Sequence, residues 1–131
     1  MKRALIEKGI KFFNEGRYHE AHEAWECLWI NMEKSPERFF LQGMIKIAAA
    51  LDKYGKEEFG GTSKLLESGL QLLLDSRTAV VNIDKEDFID EVGSFQRKFL
   101  LSPHVAQQDF PKIKSLREHP DPQKSLKDLD Q

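Results

Sequence analysis

Residues 35–51 read SPERFFLQGMIKIAAAL. Ser35 followed by Pro36 is a helix opening: a hydroxyl able to accept from an orphan N–H, then a residue whose missing N–H costs nothing at the first helical position. From Pro36 to about Tyr54 no second proline intervenes, and Phe39, Phe40, Leu41, Met44, Ile45, Ile47, Ala48 and Leu51 make the segment apolar around most of its circumference. A helix of that kind has to be covered by neighbours. The stretch therefore predicts a buried central helix over 36–54.

Reading outward, the flanking segments supply the neighbours. Residues 3–13 place Ala4, Leu5, Ile6, Ile10 and Phe13 at helical spacing with charges between them, and Gly16 suits the left-handed cap that ends such a helix. A second helix is expected over 18–32, with neither Gly nor Pro and rich in Ala, Glu and Trp. Downstream, Gly55 and Gly60-Gly61 predict a loop, with Thr62 or Ser63 capping a fourth helix to about Arg77, whose six leucines (65, 66, 70, 72, 73, 74) form its buried side. The run Thr78-Ala79-Val80-Val81 has strand character but no second strand to pair with. Asp84 caps a last helix, 85–100, with Phe88, Ile89, Val92, Phe95, Phe99 and Leu100 as apolar positions. The expected architecture is an all-α bundle of five helices over 1–101. A Pro-containing segment, 102–131, follows, with Phe110, Pro111 and Ile113 docking back and a solvated tail after about Leu116.

Composition bounds the function. With 20 Lys+Arg against 22 Asp+Glu in 131 residues, the net charge of −2 supplies no basic footprint for nucleic acid or an anionic membrane. No apolar run reaches the length of a membrane span, and the charged N-terminal stretch lacks a secretory core. One cysteine, Cys27, forms no internal disulfide, so a reducing cytoplasm is expected. Cys27 reads as half-buried and unreactive beside Glu20, and Trp25 and Trp29 read as core anchors.

The chemistry-bearing stretch is the second helix, YHEAHEAWECLW over 18–29. At 100° per residue His19, His22, Glu23 and Glu26 share about one-third of the circumference. The pairs His19/Glu23 and His22/Glu26 are each a two-donor clip for a divalent ion such as zinc, manganese or iron(II). On that reading His22 and Glu26 are ligands, Glu23 is a ligand or the general base toward a metal-bound water, and His19 is a further donor. The spacing H-x-x-H-E-x-x-E is neither the H-E-x-x-H of zinc peptidases nor the E-x-x-H of di-iron bundles. His104 and His119 lie in the C-terminal part. Two alternatives stand beside the metal. The acids pair with the polar stripe of the third helix, Arg38, Gln42, Lys46 and Lys53, as a structural network; or the face is simply solvated.

Residues 13–26, FNEGRYHEAHEAWE, followed by Trp29, resemble the signature of the domain of unknown function 309 family. Arg38 to Leu51 is similar to its second block, Gly60-Gly61 to a later loop, and Pro111-Lys112-Ile113 to a trailing element. The resemblance covers about residues 10–75 plus that short match. It implies an all-helical fold whose members are often labelled metal-dependent hydrolases, with Glu20, His22, Glu23 and Glu26 as the polar motif and Arg38 and Gln42 facing it. His19 stands where that family usually has an aromatic, Lys46 where it has Gln, and Asp52 and Lys53 near a frequent His. Gly16, Tyr18, Glu20, Ala21 and Trp25 are also similar to a tetratricopeptide helix junction, without the recurrence at about 34 residues that an array requires.

Two functions are therefore expected from the sequence, and whether the chain is an enzyme stays open. One is a metal- or small-ligand-binding protein, a hydrolase if a metal-bound water is the nucleophile. The other is a non-catalytic interaction module, with a protein partner or a second copy.

Overall fold

In the computed structural model, residues 2–116 are described. They form five α-helices: α1 (Lys2–Asn14), α2 (Tyr18–Trp29), α3 (Pro36–Gly55), α4 (Phe59–Asp75) and α5 (Lys85–Leu101), with a 3-10 turn at Gln107–Asp109. The solvated tail expected after Leu116 lies outside the described residues.

Local chemistry explains most boundaries. Gly16 sits at φ 80° and turns the chain between α1 and α2, a conformation costly for any residue with a Cβ. The Ser35 side chain accepts from Arg38 N at 3.1 Å and the Asp84 side chain from Asp87 N at 3.1 Å, so both expected N-caps form. The long apolar helix is central. Phe40, Met44, Ile47 and Ala48 of α3 are fully buried, and α2 and α4 pack along it, with α1 on α2 and α5 on α4. The α3–α4 crossing is close because both helices carry a glycine there. A Cβ on Gly43 would lie 3.1 Å from the Gly69 carbonyl oxygen, and one on Gly69 would lie 2.8 Å from Ile47 Cδ1.

Two aromatic clusters close the bundle. Phe13 meets Tyr18, Trp25 and Phe88 with ring centroids 5.2–5.9 Å apart, joining α1, α2 and α5. Tyr54 meets Phe59, Phe95, Phe99 and Phe110 at 5.4–5.9 Å, and its hydroxyl donates to Pro103 O at 2.6 Å and accepts from Val105 N at 2.8 Å. That hydroxyl holds down the chain leaving α5. Further on, Pro111 and Ile113 are buried and Phe110 packs on the core. Asn14 grips Ile113 through both polar backbone atoms, donating to its O and accepting from its N, each at 2.8 Å. Ser115 then makes an isolated antiparallel bridge with Ile83.

Several expectations need correction. Helix α2 ends at Trp29 rather than Met32, in the turn that leads to Ser35-Pro36. Gly60 and Gly61 are not a loop but the first turn of α4, which begins at Phe59, before Thr62 and Ser63. The break falls at 56–58 instead, where Glu57 takes φ 61°. Phe59 is drawn into the helix by its contacts with Tyr54 and Phe99. Gly61 lets the Lys53 stem cross, since a Cβ there would meet Lys53 Cδ at 2.6 Å. Thr62 is buried and donates to the Glu58 carbonyl rather than capping. Leu74 of the leucine face, Leu100 at the end of α5 and Phe39 of α3 are exposed, as is Cys27, which was expected half-buried. No helix of the described residues is long and apolar enough to cross a membrane.

Candidate functional site

Helix α2 is oriented by Trp25 and Ala21, both fully buried, which leaves its His/Glu face turned away from the core. The side chains on that face pair along their own helix. His19 Nε2 lies 3.2 Å from Glu23 Oε1 and His22 Nε2 lies 3.0 Å from Glu26 Oε2, both one turn apart. The two imidazoles stack with centroids 6.4 Å apart. The first pair is 63% and 65% exposed and the second 31% and 49%, so His22 is the most sheltered of the four. Glu20 pairs with Arg17 Nε at 2.8 Å, and that hydrogen bond holds its carboxyl below the usual carboxylate range. Beside them, burial pushes the Tyr18 phenol up to about 12, so it stays protonated and is no base.

The α3 residues named with this face have other partners. The Arg38 guanidinium stacks over Trp29 at 4.0 Å and its Nε lies 3.4 Å from the Trp29 carbonyl. Trp29 Nε1 is buried with no hydrogen-bond partner among the described residues. Lys46 Nζ donates to Ser68 of α4 at 3.3 Å, Lys53 pairs with Glu58 at 3.5 Å, and Asp52 pairs with Lys56 at 3.3 Å. Gln42 is half-buried on α3. His104 lies exposed after α5, and His119 lies outside the described residues.

Among the described residues no group of three or more His, Cys, Asp or Glu side chains is placed to hold a metal ion. Two donors leave a tetrahedral ion half-coordinated. Each His–Glu clip of α2 by itself supplies two such donors.

A concavity lies elsewhere, and sequence reasoning missed it. A groove of about 1480 Å³ runs between α1, the α2–α3 connection, residues 80–82 and residues 115–116. Leu28, Met32, Leu41, Met44 and Val81 give it an apolar floor, and Ile6 and Ile10 of α1 lie along one wall. Its rim is charged, with Arg3, Glu7, Lys11 and Glu15 on one side and Glu33, Lys34 and Glu37 on the other. The four-residue spacing of charges on α1 was the signal available in the sequence. Nothing local, however, says that residues 80–82 and 115–116 complete the opposite wall.

Residues 6–65, from the middle of α1 through α2 and α3 into α4, match the family model described as Domain of unknown function (DUF309). This segment is a DUF309 domain. It contains the whole His/Glu face of α2, as well as Arg38, Gln42 and Lys46 of α3. Helix α5 and the segment that packs back on it lie beyond the DUF309 match. No curated protein matches the chain.

Proposed function

We propose that this DUF309 chain is a non-catalytic helical interaction module that receives a protein segment in the α1 groove. One observation carries the reading: a groove of about 1480 Å³ with an apolar floor and a charged rim. That volume exceeds the roughly 300–1,000 Å³ of a small-molecule pocket and suits an amphipathic helix, apolar face down and polar flanks against the rim. Charges at the rim orient such a partner, while burial of the half-buried Ile6, Ile10, Met32 and Val81 provides affinity. The single exposed thiol of Cys27 suits a reducing cytoplasm.

A photo-crosslinking residue in place of Met32, in the full chain in cells, tests this. A discrete crosslinked species is expected from that position, and none from the same residue at Cys27, which is exposed outside the groove. Absence of any species from Met32 would overturn the reading.

A second reading keeps α2 as the binding element, favoured by its two parallel His–Glu clips. There His22 and Glu26 are the donors, with Glu23 and His19 beside them and Glu20 held by Arg17. Near-stoichiometric zinc, manganese or iron in tag-free protein, lost in His22→Ala, would establish it in place of the first.

A further inference from the structure

The inference rests on the interaction reading and names the occupant of the groove. Along the groove-side wall of α1, Arg3, Glu7, Lys11 and Glu15 follow one another at four-residue steps with alternating sign. Glu15 lies one residue past α1 but keeps its helical path, its N–H bonding Lys11 O at 3.1 Å. Residues at that step stand one above another on a helix, so the four form a single charged stripe. Within the chain the stripe is loosely paired. Arg3 lies 3.4 Å from Glu7, Glu15 lies 3.7 Å from Arg17, and Lys11 makes no ion pair among the described residues.

The order of signs matters. Laid antiparallel on its own copy, with position 7 opposite 11 and position 3 opposite 15, the stripe brings every charge against its opposite. That is the pairing a twofold axis generates, in which residue i meets j and j meets i. A stripe of one sign would repel its copy. We propose that a second copy of this chain closes the groove, the two α1 helices running antiparallel across a twofold axis. Closure takes the half-buried Ile6, Ile10, Met32 and Val81 out of water on both copies. Exposed ion pairs add little affinity, so the charges choose register and orientation while apolar burial holds the pair together.

Sedimentation of the full chain over a range of concentrations tests the proposal. A reversible monomer–dimer equilibrium is expected, weakened by salt. Glu7→Lys and Lys11→Glu each place two like-charge contacts across the axis, and each should raise the dissociation constant by about tenfold. The combined Glu7→Lys/Lys11→Glu chain restores opposite signs at both contacts and should recover the native constant. Unchanged far-UV circular dichroism would show that each variant is folded, and Glu7→Gln/Lys11→Gln, with no reversed charge, should fall between the two extremes. A monomer at every concentration overturns the proposal. So does a dimer indifferent to the single reversals or not restored by the double one. If the chain stays monomeric while Met32 crosslinks to a different protein, the second-copy proposal fails and the interaction reading stands.

Discussion

The indole of Trp25 occupies the space that a side chain at Gly9 would need. A Cβ on Gly9 would lie 2.1 Å from Trp25 Nε1, and that nitrogen donates to the Ile6 carbonyl at 3.2 Å. Trp25 is fully buried and cannot step aside, so α1 and α2 owe their close approach to this glycine.

Gly9→Ala is therefore expected to destabilise the fold. Alanine improves helix propensity by up to about 1 kcal/mol, but forcing a methyl into the indole costs more, for a net loss of about 2 kcal/mol. Denaturant midpoints measure it. A more stable Gly9→Ala chain would show that the two helices are not packed through Trp25.

Asn14 joins the end of α1 to the segment after α5 through its paired hydrogen bonds with Ile113, both at 2.8 Å. Asn14→Ala leaves a part-buried N–H and C=O without those partners and should cost about 2 kcal/mol. Amide hydrogen exchange gives the specific readout: Ile113 should lose more protection than the α3 core.

Glu91 makes stability depend on pH. Burial and the neighbouring Asp87 carboxyl push its pKa above the ordinary value of 4.5, against the opposing pull of the Lys112 N–H and the Lys114 ammonium. The folded state thus holds a proton that the unfolded state has released. The contribution is fully present below pH 4.5 and declines as pH rises through the folded-state value. Glu91→Gln should flatten that decline. Parallel denaturant titrations from acid to neutral pH check it, and equal slopes in both chains would remove Glu91 as the cause.

The His/Glu face of α2 should be nearly silent in stability. The His22–Glu26 pair is half-exposed at 31% and 49% and lies within one helix, so Glu26→Ala is expected to change stability by no more than about 0.5 kcal/mol. A loss of several kcal/mol on thermal or chemical denaturation would mean that the face is buried by something beyond the described residues.

These expectations show where the sequence was legible. The apolar run of α3, the caps at Ser35 and Asp84 and the left-handed turn at Gly16 were readable because each depends on residues within one helical turn. The α2 polar face was readable for the same reason, its members being one turn apart. Whether Glu23 and Glu26 would meet Lys46 was not, because that depends on how α3 rotates about its axis. The packing of α4 turns Lys46 toward Ser68 instead.

By itself, then, the sequence determined the five helices of the described residues, their central member and the residues that share each helix face. Tertiary structure alone decided that α4 starts at Phe59, that Cys27 and Leu74 are exposed, and that α1, the α2–α3 connection and two distant short segments enclose a groove. The physical reason is range. Helical period and capping are local, whereas exposure and concavity depend on which distant surface lies over a face, and that is settled only when the helices pack.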